Sequence, residues 1–232
     1  MALSRKRQRL YDLSPDIAII PECSRTCLSR CIAEGFAGRW FGNNEKKGLG
    51  VLVGNAYRIV RSGKPCNRWI APLWISGPTD FLLLAVWAMK VEGSLSKSYI
   101  GQVYESIVAH PHWFRRNKVV IAGDFNSNKI WDEMRQLRNH SAVVTQLQKH
   151  RIASAYHELF TEKQGEETQP TYFHWRRGEN GYHIDYIFLP YDWIPRVTKV
   201  EVGAYQTWSK LSDHVPVIVE VEVDAPGPAE TH

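Results

Sequence analysis

Short apolar runs, each closed by a turn-forming residue, set the pattern of this chain. Val119-Val-Ile-Ala122 stops at Gly123 and then presents Asp124 and Asn126. A continuous apolar run bounded by turn-formers predicts a buried strand. Gly123 permits a sharp turn at its end. Asp124 and Asn126 are two apart, so in extended geometry their side chains leave on the same side. Asp16 to Ile20, ahead of Pro21-Glu22, and Tyr182 to Leu189 predict two more buried strands. Runs over 38–41, 48–53, 57–60, 69–75 and 81–88 are separated by Gly, Asn and Pro clusters with no helical pattern between them. That spacing predicts antiparallel sheet. Residues 170–175, 197–202 and 215–223 are further strand candidates.

Helical spacing is confined to a few places. Ile100, Val103, Tyr104, Ile107 and Val108 predict a helix over 98–109, and a second pattern covers 142–149. Ser24 can cap a helix that runs to about Glu34 and stops at Gly35. Residues 4–12 read as a short basic helix, ended by Ser14-Pro15, whose Arg5, Lys6, Arg7 and Arg9 form a solvated face or a weak phosphate contact. Residues 162–168 are polar and read as a loop. Residues 225–232 read as a disordered, proline-containing tail. No repeat or linker divides the chain, so the expectation is a single α/β domain over residues 1–224, sheet packed on sheet with helices outside.

Composition narrows this further. The chain has 232 residues with nine tryptophans, enough for a substantial core, and a formal charge of +5 that suits a polyanionic partner without demanding one. No apolar stretch is long enough to span a bilayer. The basic N-terminus lacks the apolar core of a signal peptide, which fits the cytoplasm. A monomer without a membrane partner is expected. Of the four cysteines, Cys23, Cys27 and Cys31 are spaced by four, which would let them share one helix face. With no second cysteine or histidine pair at ligand spacing, they read as buried thiols rather than a metal cluster.

Four polar clusters stand at predicted strand ends: Glu22, Asp124 with Asn126, Asp185, and Asp213 with His214. Each alone is a weak signal, and their repetition is the informative part. An unpaired carboxylate inside the apolar strand of Asp185 would be costly. It can instead hold His214 in one tautomer and favour its protonated form. Hard cations take carboxylate oxygens, water and substrate phosphate, and Glu22 and Asp213 can supply the carboxylates. Asp124 can accept a proton from an attacking water that Asn126 positions. These are the parts for metal-assisted attack of water on phosphorus.

Ile-Ile-Pro-Glu22, Gly123-Asp-Phe-Asn126, Ile184-Asp-Tyr-Ile-Phe188 and Ser212-Asp-His-Val-Pro216 occur in the order of the endonuclease/exonuclease/phosphatase superfamily, which the chain resembles from Asp16 to about Glu222. That resemblance implies a four-layer α/β sandwich of two mainly antiparallel sheets with helices on the outside, and a Mg²⁺ or Mn²⁺ site at one end. It implies Glu22 and Asp213 as metal contacts. Asp124 and Asn126 resemble the pair that activates water, and His214, partnered by Asp185, the phosphate-binding histidine. The activity implied is divalent-metal-dependent phosphodiester hydrolysis, as an endo- or exonuclease on nucleic acid. The alternatives are a phosphatase or phosphodiesterase on a small phosphorylated molecule or lipid head group, or a weakened relative that only binds phosphate. Trp87 and His183, where relatives often carry Tyr or His and Arg respectively, are candidate substrate contacts. His140, His157 and His174 have no motif support and read as surface or hydrogen-bonded polar residues. The family opens with a core strand ending in asparagine, and Met1-Ala-Leu-Ser resembles the sequence that follows it. The expectation is a natural chain about ten residues longer, given usual strand lengths, and a slot beside the Ile17–Ile20 strand.

Overall fold

The computed structural model describes residues 3–54, 56–67, 69–90, 99–133 and 137–223. The chain begins with α1 (Leu3–Leu13), β1 (Ile17–Cys23) and α2 (Arg25–Ala33). Ser24 caps α2, its hydroxyl oxygen accepting the Cys27 amide at 3.3 Å, and Gly35 leaves the helix at φ +114°. A hairpin of β2 (Ala37–Asn44) and β3 (Lys47–Val53) is followed by β4 (Arg58–Ser62), β5 (Ile70–Ser76) and β6 (Phe81–Trp87). Next come α3 (Ile100–Ala109), α4 (His112–Arg116), β7 (Val119–Asp124), α5 (His140–Lys149), β8 (Ile152–Ser154) and α6 (Ala155–Phe160). The small hairpin of β9 (Tyr172–Phe173) and β10 (Gly181–Tyr182) precedes β11 (Asp185–Pro190), β12 (Val197–Val202) and β13 (Val217–Val221).

Six strands form one sheet in the order β4-β5-β6-β7-β11-β8. β6 and β7 run parallel, and the segment between them is long enough for the crossover that parallel strands need. The other pairings in this sheet are antiparallel. Two smaller sheets, β1-β3-β2 and β12-β13, lie against one face of it. Ile17, Ile19, Val51, Val200 and Val219 from these sheets meet Leu73, Leu83, Ala85, Val120 and Ala122 of the six-stranded sheet in one core. The opposite face of that sheet buries Leu84, Val86, Ile121 and Phe188 against Val103 and Ile107 of α3 and Val143 and Leu147 of α5. On the far side of β1-β3-β2, Leu3 and Leu10 of α1 and Leu28 of α2 cover Ile20, Cys23 and Leu52. The result is the expected four-layer α/β sandwich.

The outer β layer is divided. Among the described residues β1 pairs with β3 alone and β13 with β12 alone. β1 (Ile-Ala-Ile-Ile) and β13 (Val-Ile-Val) are apolar on both faces, the composition of strands covered on both sides. Each is nevertheless only half-buried along most of its length. The core strand expected beside Ile17–Ile20 has no counterpart among the described residues.

Residues 152–160 form β8 and α6, which no run or spacing in the sequence had marked; a three-residue strand is too short to show a period. The strand expected over 170–175 is confined to 172–173, after which the chain makes a tight turn. The expected tail and the first residue of the 98–109 helix lie outside the described residues. Cys23 and Cys31 are buried free thiols under α1 and α2, and burial pushes the Cys23 thiol up to about 12, so these are inert packing groups. No helix among the described residues is long and apolar enough to cross a membrane.

Candidate active site

The end of β7 depends on Gly123. Its φ is +134°, and a Cβ there would stand 2.0 Å from the Val86 carbonyl oxygen on the parallel neighbour β6. Only glycine lets the two strands approach while the chain turns. Phe125, fully buried, packs edge-on to Tyr186 and against Phe188, each at 5.5 Å, and its amide donates to the Ile184 carbonyl at 3.0 Å. The loop is thereby nailed to the start of β11. Asp124 is buried, its Oδ1 accepting the Asn126 amide and its Oδ2 the Asn126 side-chain Nδ2, both at 2.8 Å. Asn126 Nδ2 also donates to the Ala88 carbonyl at 3.0 Å.

β11 pairs with β7 in the register Asp185 to Asp124, which sets the two carboxylates on adjacent strand ends. Asp185 Oδ2 accepts the Thr171 hydroxyl at 2.7 Å and lies 2.9 Å from His214 Nδ1. Thr171 Oγ1 in turn accepts the amides of Ile184 and Asp185 at 3.0 Å. The segment around residue 171 also holds the Asp213-His214 loop: the Phe173 amide donates to the Asp213 carbonyl at 2.7 Å, and the Val215 amide to the Thr171 carbonyl at 2.8 Å. A carboxylate can only accept, so Nδ1 of His214 carries a proton and Nε2 is the ring's other polar atom. Oxygen and nitrogen atoms of Asp124, Asp185 and His214 lie within 4.8 Å of one another.

The charges are interdependent. Burial would lower the His214 imidazole, but the charge and hydrogen bond of Asp185 raise it to about 9. Burial first, and the Asp185 charge second, raise the Asp124 carboxyl, while His214 pulls it down. Glu22 sits where β1 slips register between Ile20 and Cys23, and it has a left-handed φ of +57°. Its Oε1 is 2.7 Å from Lys47 Nζ; burial would raise the Glu22 carboxyl, and the Lys47 ammonium holds it low. Lys6 lies in the field of Asp213, Asp185 and Glu22, so Glu22 and Asp213 share the end of the sandwich where the motifs converge.

The carboxylate oxygens of Asp124 and Asp185 fit a hard divalent ion such as Mg²⁺ or Mn²⁺, while His214, protonated on Nδ1 and raised to about 9, stands beside them as a cation. The tight cluster is Asp124, Asp185 and His214; Glu22 and Asp213, the metal contacts that the resemblance implies, stand outside it. Thr171, Tyr172 and Lys47 were not singled out, and Lys6 was read only as part of a solvated face or a weak phosphate contact. Lys6 carried a readable signal, since it is three residues from Leu3 and four from Leu10, on the buried stripe of α1.

Two expected substrate contacts are corrected. Trp87 is 2% exposed and packs in the inter-sheet core against Trp69 at 5.6 Å, because its place in β6 points it between the sheets with Leu83 and Ala85. His183 is 3% exposed, its Nδ1 on the Gln169 carbonyl at 2.7 Å and its ring 4.4 Å from that of Tyr156. Neither offers a surface to substrate. The exposed aromatic groups lie elsewhere. Tyr172 stacks obliquely on His214 at 4.8 Å, and Tyr182 stands opposite Tyr172 in the hairpin. Trp131 lies 5.0 Å from Tyr182. At the hairpin turn Trp175 is 73% exposed, with the Arg177 guanidinium 5.6 Å from its ring. Rings in contact thus run from His214 through Tyr172 and His174 to the exposed Trp175, with Tyr182 and Trp131 on the facing strand.

The model of the endonuclease/exonuclease/phosphatase family matches residues 7–214. No curated protein matches the chain. Several solved structures share its fold. A 3'-5' exonuclease from Neisseria meningitidis aligns with a TM-score of 0.67 and 16% identity over 95% of this chain and 96% of its own. An AP endonuclease from Archaeoglobus fulgidus gives 0.64 and 16% over 93% and 92%. A mannosyl-6-phosphatase from Bacteroides thetaiotaomicron gives 0.62 and 16% over 93% and 88%.

Proposed function

The chain belongs to the endonuclease/exonuclease/phosphatase family, a family of phosphoester hydrolases, and from that premise we propose that it is a divalent-metal-dependent nuclease. The observation that carries this reading is the convergence of Asp124, Asp185 and His214 within 4.8 Å, with Asn126 fixed by Asp124 beside them. Asn126 orients the attacking water and Asp124 takes its proton. His214, kept cationic by Asp185, neutralises a non-bridging phosphate oxygen as charge builds there. The leaving oxygen departs in line, opposite the water, and takes a proton from solvent. A bound Mg²⁺ or Mn²⁺, held by carboxylates of this cluster with Glu22 and Asp213, would supply the further positive charge that keeps Asp124 ionised and polarises the phosphate.

Nucleic acid is favoured over a small phosphorylated molecule by the row of rings through Tyr172, Tyr182 and Trp131. Bases stack on such platforms while cations track the backbone. The Arg177–Trp175 pair at the hairpin turn fits the same polymer. The test is a Mg²⁺-dependent panel of plain duplex, abasic duplex, single-stranded DNA, RNA and a phosphorylated sugar, with kcat/KM for each. Nucleic acids should lead by at least tenfold; a sugar phosphate that leads by that margin would transfer the reading to the phosphatases. The same reading has the protein act as a monomer in the cytoplasm. Light scattering should then give 26.7 kDa, and cell fractionation the soluble fraction; a dimer mass or membrane recovery would contradict it.

A further inference from the structure

Behind the site lies a buried polar network that the hydrolysis itself does not use. At its centre is Asn128, 2% exposed and two residues beyond Asn126. Its Oδ1 accepts the Ile130 amide at 3.0 Å. Its Nδ2 reaches Glu167 Oε2 at 3.0 Å, the His183 carbonyl at 2.9 Å and the Tyr186 hydroxyl at 3.2 Å. The Glu167 side chain is 3% exposed, and its Oε1 accepts His157 Nε2 at 3.0 Å while Oε2 also takes the Gly165 amide at 3.0 Å. His157 Nδ1 is held from behind by Ser154 Oγ at 2.8 Å and Gln164 Nε2 at 3.1 Å.

This network joins two parts of the site. Asn128 belongs to the loop that carries Asp124 and Asn126, and His183 directly precedes Ile184-Asp185. Asn126 holds φ +45°. Among residues with a side chain, Asn takes this left-handed conformation most readily, and its own bonds to Asp124 and Ala88 hold it there. Asn128 is the next polar side chain along that loop to be fixed by several partners at once, on the far side of Asn126 from Phe125. We propose that Asn128, backed by the buried Glu167 carboxylate, is a positioning residue that sets Asp124 and Asn126 at their working height against Asp185. This rests on the hydrolytic reading above. An amide is required because the position must donate to a carboxylate and a carbonyl while accepting a backbone amide, which neither Asp nor a hydroxyl can do.

The test measures kcat and KM for bis-p-nitrophenyl phosphate in Mg²⁺, with melting temperature recorded for each protein. Misplacing catalytic groups by a fraction of an ångström to one ångström costs up to about 100-fold, so Asn128→Asp should lose on the order of 100-fold in kcat with KM moving less than about threefold. The exchanged pair, Asn128→Asp with Glu167→Gln, restores an amide facing a carboxylate and should recover about tenfold over Asn128→Asp alone. Glu167→Gln by itself carries the test if Asn128→Asp does not fold, and it should lower kcat about tenfold. Variants whose kcat per folded molecule equals wild type, whatever their melting temperatures, would reduce the network to a stabilising role and overturn the proposal. A wild-type protein inert on this substrate would instead overturn the hydrolytic reading, and the positioning role with it.

Discussion

At His214 two forces oppose each other: burial favours the neutral ring, and Asp185 at 2.9 Å favours the cation. The carboxylate wins, so the folded pKa lies above that of a free imidazole. A raised pKa means the pair contributes its full stability below about 6.5 and loses it as pH rises through about 9. An NMR titration of the metal-free protein should therefore find His214 near 9, and Asp185→Asn should lower it, since burial is then opposed only by the charges of Asp124 and Asp213. Equal values in the two proteins would dissolve the pair. Asp124→Asn and His214→Ala should each lower kcat by about 1,000-fold or more while the proteins stay folded, because each group acts mainly in the transition state. Glu22→Gln should shift the midpoint of a Mg²⁺ titration upward about tenfold or more, since an amide keeps the shape and loses the charge. An unchanged midpoint would remove Glu22 from the ion's surroundings. Asp124, Asn126, Asp185 and His214 were legible in the sequence because each stands at the end of an apolar run. Trp87 and His183 were misread for a complementary reason. A position near a strand end does not say which face of the sheet the side chain takes, and pairing decides that.

Among the elements, β7 shows how much one position can require. An alanine at 123 would need a backbone conformation that side chains resist and would meet a carbonyl oxygen of β6, which cannot swing aside. Gly123→Ala should cost more than about 3 kcal/mol in urea unfolding and disturb Asp124 directly. A loss under about 1 kcal/mol would mean that the strands separate more easily than their packing implies. Long apolar runs such as Phe81–Trp87 and Val119–Asp124 were readable as strands, since continuous burial leaves a continuous apolar record. β8 and α6 were not, being shorter than the periods that betray a strand or helix, and of the β9–β10 hairpin only the strand around Tyr172–Phe173 was expected. The polar stretch 162–168 misled in another way. It is a loop as expected, yet it delivers Glu167 to the interior, where hydrogen bonds from His157 and Asn128 replace water.

Over the whole molecule, the order of the four motifs along the chain foretold the sandwich and the gathering of Asp124, Asp185 and His214 at one end of it, because strand ends gather where two sheets open together. What the order could not show was the buried network behind the site, whose members are scattered and polar. Glu167 ties that network to acid stability. Burial would raise its carboxyl, but the hydrogen bonds hold it down to about 2, against about 4.5 for a free glutamate. The depressed value means its stabilisation is present above about pH 4.5 and lost as pH falls through 2, amounting to on the order of 3 kcal/mol. Denaturation of wild type and Glu167→Gln at pH 7 and pH 3 should show the gap between them narrowing in acid; a constant gap would deny that Glu167 is the titrating group. The central claim, that this end of the sandwich is a metal-dependent hydrolytic site built on Asp124, is met most directly by one assay. Release of p-nitrophenol from bis-p-nitrophenyl phosphate is followed for wild type and Asp124→Asn, with Mg²⁺ and after chelation. Only wild type with the ion present should release p-nitrophenol; turnover that survives chelation, or Asp124→Asn matching wild type, would remove the metal or Asp124 from the chemistry.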